Sequence, residues 1–272
     1  MANSSSAKLT TLRFSNILST VVMFILNMWS ARGLINNTTP GELSDNIPNL
    51  FVPSGITFSI WGIIYVLLFL FVGYQARALV KTVADDVTYL KRIGWFFVLT
   101  NVANSCWIFA WHYELVPLSL AFMVLLLASL IAIYLRLGIG LQGKTIRRKD
   151  RAIFQVPFSV YLGWITVATI ANVTAVLVWI GIEPYTSSAV VWTVVVIFVA
   201  TLITSLMLIK RRDVAFGLVI IWALVGIVVK RLDPSYFVEL TVASSAGLAA
   251  IAVCILMVFV LLRRSRAFFV SS

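Results

Sequence analysis

The sequence predicts an all-α fold, a polytopic membrane bundle of about eight transmembrane helices. Three observations carry this prediction. Of the 272 residues, 61% are hydrophobic and only 11% charged. Apolar runs close to the length of a membrane span recur along the whole chain. Basic residues gather in every second gap between those runs. A soluble domain usually has about 45–50% apolar and about 25% charged residues. A chain this apolar has too few polar side chains to cover a surface facing water, whereas in lipid Leu, Val, Ile and Phe can point outward.

Met1–Thr11 is polar and rich in Ser. The apolar run that follows, 14–32, is longer than the core of a signal peptide and reads as a retained first helix. Residues 33–53 form a long loop. The second span, 54–76, begins at a boundary marked by Pro53 and Gly55. The third, fourth, fifth and sixth fall at 93–112, 116–137, 154–180 and 187–209. The seventh, 214–230, is short and carries Gly217 and Gly226, which suits a tilted helix or one packed tightly on a neighbour. The eighth is 238–262.

Charge tests the count. With the N-terminus inside and eight spans, inside segments hold 18 of the 21 Lys and Arg residues, and outside segments hold Arg32, Lys230 and Arg231. That asymmetry follows the positive-inside rule and would be scrambled by adding or removing one span. It puts both termini in the cytoplasm and loop 33–53 outside, in a bacterial cell membrane or an equivalent one. The net charge of +11 is therefore a topology signal, and no nucleic acid partner is implied. The most basic loop, Lys144–Arg151, reads as a topology anchor, with binding to anionic lipid as the alternative.

No charged residue lies deep in a span. This argues against a proton pump, a voltage sensor and a proton-coupled carrier. His112 falls near the outer end of the third span and reads as interfacial. Cys106 and Cys254 lie in apolar segments and read as small buried side chains. No CxxC or Cys/His cluster suggests a metal site.

Three spans differ from the rest. Phe58, Trp61, Tyr65 and Leu68 share one face of the second. Phe97, Asn101, Asn104, Ile108 and Trp111 share a face of the third, where two amides in hydrocarbon need partners. Tyr161, Trp164, Ala168, Ala171 or Asn172, Ala175 and Trp179 line up on the fifth. Small residues between large aromatics leave room for a close helix or for a flat ligand. Plain helix packing and a pocket for a flat, largely apolar molecule both account for such faces.

These stretches resemble the TspO/MBR family, the tryptophan-rich sensory proteins. Pro53-Ser-Gly-Ile-Thr-Phe-Ser-Ile-Trp-Gly-Ile-Ile-Tyr65 looks like the family's Pro-Gly-aromatic start of the second helix with its Trp-x-x-x-Tyr pair. Asn101-Val-Ala-Asn-Ser-Cys-Trp-Ile-Phe109 is similar to the family's Asn-x-x-Trp-Ser-x-x-Phe-Phe run, with Asn104 in place of a tryptophan. Tyr161-Leu-Gly-Trp-Ile-Thr-Val-Ala-Thr-Ile-Ala-Asn172 is similar to its Tyr-Leu-x-Trp-x-x-x-Ala-Thr-x-x-Asn. The motifs fall in spans two, three and five, after a long first loop, in the family's order.

The resemblance covers about residues 12–182. It implies a five-helix core (13–182) like the family's; the span count and charge pattern add a cytoplasmic N-tail (1–12), three additional transmembrane helices (183–264) and a cytoplasmic C-tail (265–272). It further implies a receptor-like or transporter-like protein that binds a tetrapyrrole, porphyrin or sterol-like molecule in an intramembrane pocket. By position, the pocket residues would be Trp61, Tyr65, Asn101, Asn104, Trp164, Ala168 and Asn172. Trp61 and Trp164 would stack on the ligand face, and Asn101 and Asn172 would donate to its polar atoms. No cofactor is required. Porphyrin or haem would be the ligand, and without an axial ligand at pocket depth the expectation is a metal-free porphyrin or a loosely held haem.

Two other readings stand beside this one. Some members of the family are reported to break down porphyrins in light, although the chain shows no paired carboxylates, Ser/His/Asp set or metal cluster. A structural or partner-binding protein is the other. The small residues Ser244, Ser245, Ala246, Gly247, Ala249 and Ala250 suit close helix contact, either holding the extra helices on the core or forming a homodimer.

Overall fold

In hydrocarbon every backbone N–H and C=O must find a partner within the protein, so long apolar segments that cross it become helices. In the computed structural model they are helices throughout. Residues 2–80, 87–141 and 147–269 are described. Lys81, Lys144 and positions 270–272, which belong to segments of the charge pattern, lie outside the described residues.

The chain runs as α1 (Ala2–Ala31), α2 (Pro40–Asn46), a 3-10 turn (Gly55–Ser59) leading into α3 (Ile60–Val80), α4 (Val87–Ile93) and α5 (Phe96–His112). It continues as α6 (Val116–Leu137), α7 (Arg148–Phe154), α8 (Val156–Trp179), α9 (Ser187–Leu206), α10 (Val214–Leu232) and α11 (Leu240–Phe269). A π-helical turn, Met207–Arg211, ends α9. Seven helical segments are long and apolar enough to cross a membrane. Among the described residues the count reaches eight when the α4–α5 pair, which bends by 51°, is taken as one span. The bend falls at Gly94, whose φ of +55° is a backbone conformation that glycine adopts without strain. The predicted fold class and number of spans match this architecture.

Five helices close a ring in which each packs on the next: α1 on α5, α5 on α6, α6 on α8, α8 on α3, and α3 back on α1. Phe71, Phe97 and Phe158 interlock edge to face at its centre, with centroids 5.0–5.7 Å apart. At one end, the buried Asp213 carboxylate accepts from Tyr134 Oη (2.9 Å), Ser159 Oγ (2.8 Å) and the Phe216 amide (3.1 Å). One side chain thus caps α10 and ties it to α6 and α8.

α10 joins the remaining helices to this ring. It packs on α8 and on α11, which in turn packs on α9. The approach is close at glycine. A Cβ on Gly163 would stand 3.1 Å from Val219 Cβ. A Cβ on Gly226 would collide with Thr57 Oγ1 and stand 2.9 Å from Pro53 Cβ. This explains why the seventh span carries glycine: its backbone lies against the start of α3. There the Ser54 amide donates to the Gly226 carbonyl (3.0 Å), and Trp222 Nε1 donates to the Thr57 carbonyl (2.9 Å). The small residues Ala243, Ala246, Ala249 and Ala250 of α11 are buried within the chain, where α11 meets α10.

Candidate functional site: a tryptophan-walled intramembrane cavity

A narrow cavity of about 40 Å³ lies between α3, α5 and α8. Each wall follows from a helical repeat. The 3-10 turn and α3 present Phe58 and Trp61, three residues apart. α5 presents Trp107 and Trp111, four apart and stacked with centroids 6.0 Å apart. α8 presents Trp164, Ala168, Ala171, Asn172 and Ala175, where the alanines hollow out the space between larger side chains. Phe58 and Trp61 meet the edge of Trp164 at 5.6 and 6.4 Å.

The loop after α1 supplies the remaining wall, through Pro40, Ser44, Ile47, Asn49, Val52 and Pro53. Its short helix α2 is built by local rules. Thr39 caps it in a capping box, with the Thr39 amide donating to Glu42 Oε2 (2.8 Å) and the Glu42 amide donating to Thr39 Oγ1 (3.3 Å). The Thr39 amide and the Thr39 hydroxyl, both donating to Glu42 Oε2, hold the Glu42 carboxyl below its ordinary pKa. Trp111 Nε1 donates to the Pro40 carbonyl (3.4 Å), joining α2 to a cavity wall. At the far end of α2, Asp45 pairs with Lys230 of α10 and accepts from Tyr236 Oη (3.3 Å). Lys230 is buried while Asp45 remains partly exposed, so the pair has one dry side and one wet side.

The electrostatic character of the cavity is simple. No Lys, Arg, Asp or Glu is among the described residues that line it. Its polar features are neutral donors and acceptors. Two stand out: the indole N–H groups of Trp107 and Trp164 are buried and have no hydrogen-bond partner.

The sequence-predicted residues divide into two groups. Trp61, Trp164, Ala168 and Asn172 line the cavity. Asn172 Oδ1 accepts from Ser119 Oγ (2.9 Å), which orients its amide. Tyr65 stands one turn behind, stacked on Trp61 with centroids 5.6 Å apart. Asn101 and Asn104 are not among the lining residues. Their amides face α1, where Asn101 donates to Ser19 and Thr20 (3.0 Å each) and Asn104 accepts from Asn27 (2.7 Å). His112 is fully buried rather than exposed at an interface. Its Nδ1 lies 2.8 Å from the Ile108 carbonyl, to which it donates, leaving Nε2 to accept from Ser30 Oγ at 3.1 Å. Both ring nitrogens are thus engaged.

Sequence reasoning passed over Trp107, Trp111 and the loop wall as site residues. The signals were present. Trp107 and Trp111 stand four apart on one face, and Thr39-Pro-Gly-Glu42 has the capping-box spacing that marks a helix start.

No curated protein and no solved structure matches the chain. The TSPO-like protein family model matches residues 13–260, running from α1 through α9 and α10 into α11. An all-helical membrane bundle with a tryptophan-walled cavity, matched over nearly its whole length, belongs to the TSPO-like protein family.

Proposed function

We propose that this integral membrane protein binds a flat, largely apolar molecule carrying hydrogen-bond acceptors, of the tetrapyrrole or sterol class, in the cavity between α3, α5 and α8. The observation that carries this reading is the pair of unpartnered indole N–H groups, Trp107 and Trp164, in a mostly apolar wall. A buried donor without a partner costs about 1–3 kcal/mol. A ligand that brings an acceptor removes that cost, and aromatic walls favour a flat one.

The neutral lining bears on the ligand's charge. The propionates of a porphyrin would stay at the cavity mouth, and the macrocycle would sit inside. With both nitrogens of His112 engaged, a metal-free porphyrin suits the site better than a ligated haem. The basic residues orient the molecule: both termini are cytoplasmic, and the loop wall faces the opposite side. Receptor and transporter roles both fit such a site.

Titration with protoporphyrin in nanodiscs, followed by quenching of tryptophan fluorescence, tests the reading. Trp164→Phe keeps the ring and removes one N–H. It should weaken binding roughly 5- to 10-fold, the equivalent of one hydrogen bond of about 1 kcal/mol or slightly more. A Trp61→Phe, Trp164→Phe double variant should weaken it further. Unchanged affinity in the double variant would place any binding elsewhere. Displacement of the porphyrin by cholesterol would assign the cavity to both ligand classes, and resistance to displacement would restrict it to the first.

A further inference from the structure

A second polar feature lies behind the cavity. Asn16, Thr20, Met23, Asn27 and Ser30 follow one another at three- and four-residue intervals along α1, a rise of about 21 Å. This face meets Asn101, Asn104 and His112 of α5 and Gln75 of α3. All of these side chains are more than nine-tenths buried.

The hydrogen bonds in this seam do not close. Asn16 Nδ2 donates to Gln75 Oε1 (2.9 Å), which leaves Asn16 Oδ1 and Gln75 Nε2 without partners. Flipping both amides would not help, because two amides that share one bond always leave one donor and one acceptor over. The hydroxyls of Ser19 and Thr20 each give their single proton to the Asn16 carbonyl (3.2 and 2.7 Å), so toward Asn101 they can only accept. Asn101 therefore turns Nδ2 to them and is left with a free Oδ1. Asn27 Nδ2 donates to the Met23 carbonyl and to Asn104 Oδ1 (2.7 Å each), which turns Asn104 Nδ2 toward the Tyr161 hydroxyl.

Free donors and free acceptors thus occur together along one seam. A cation would meet the amide N–H groups, and an anion would meet the carbonyls. A neutral molecule that both donates and accepts satisfies them all, and water with two to four polar partners is the smallest that does so. We propose that the α1–α3–α5 seam is a hydrated site inside the membrane. One water position lies between Asn16 and Gln75, and a second at Asn101 Oδ1. The site is independent of any ligand in the tryptophan cavity.

Met23 offers a test, because it lies between Thr20 and Asn27 on this same face and is 0% exposed. Met123 on α6 is equally buried and serves as the control. In nanodiscs, an X-ray pulse converts bound water to hydroxyl radical, and mass spectrometry reads methionine oxidation. Met23 should oxidise several-fold faster than Met123, and in an Asn101→Leu, Asn104→Leu variant its rate should fall to that of Met123. Equal rates for Met23 and Met123 in the unaltered protein would overturn the proposal, and that comparison needs no variant to fold. A folded double variant with undiminished Met23 oxidation would overturn it as well.

Discussion

Trp164 shows how one side chain can serve packing and recognition together. Its ring fills the centre of the aromatic cluster with Phe58 and Trp61, while its N–H remains unpartnered. Gly226 does a different job at the same scale, letting the α10 backbone reach Pro53 and Thr57. Gly226→Ala should lower the melting temperature in detergent, at a cost of about 1–3 kcal/mol for overpacking a tight contact. Gly247→Ala is the matched control. Its Cβ would meet only Val228 Cγ2, at an ordinary 3.8 Å, and the melting temperature should hardly move. Equal effects of the two substitutions would remove close approach as the reason for Gly226. Residues also mark the limit of what the sequence reveals. That Asn101 and Asn104 share a face of α5 is legible from their spacing. Which neighbour that face meets depends on how α5 is rotated in the bundle, and spacing does not encode rotation. The hydroxyls of α1 supply the missing information: Ser19 and Thr20 receive Asn101, and the rotation turns Trp107 and Trp111 toward the cavity.

At the scale of elements, the loop wall and α10 act together. α2 stands over one side of the cavity, and its Asp45 is held by Lys230 near the end of α10. The two partners differ in burial, with side-chain exposures of 5% for Lys230 and 33% for Asp45. Removing the carboxylate strands a buried ammonium, whereas removing the ammonium leaves a carboxylate that water can reach. Asp45→Asn should therefore destabilise the loop more than Lys230→Met, by about 1–3 kcal/mol once partial exposure is allowed for. Hydrogen exchange at residues 40–53 measures this, and faster exchange in Lys230→Met than in Asp45→Asn would contradict it. Acid should loosen the same wall. Glu42 titrates below its unfolded value, so its capping contribution is present above the ordinary carboxylate pKa and is lost as pH falls through the folded one. The sequence made the eight crossings legible because apolar length is a local property. It left α2 inside a long loop, since seven residues are too few for a hydrophobic period and only the capping box marks them.

For the whole molecule, apolar composition and the gathering of basic residues in every second gap between apolar runs foretold a polytopic bundle. The motifs fall on α3, α5 and α8, and the structure packs these with α1 and α6 into one ring. How α9, α10 and α11 attach was not legible. That depends on two glycines, one indole N–H and one buried lysine meeting partners up to 185 positions away along the chain. The family match reaches position 260 and so takes in this arrangement as a unit. The central claim is that the tryptophan-walled cavity receives a flat acceptor-bearing molecule, and a structure of the protein saturated with protoporphyrin tests it most directly. The account predicts a planar ligand between α3, α5 and α8, with an acceptor atom within hydrogen-bond distance of Trp107 Nε1 or Trp164 Nε1. Ligand bound elsewhere, with Phe58, Trp61 and Trp164 packed as they are now, would contradict it.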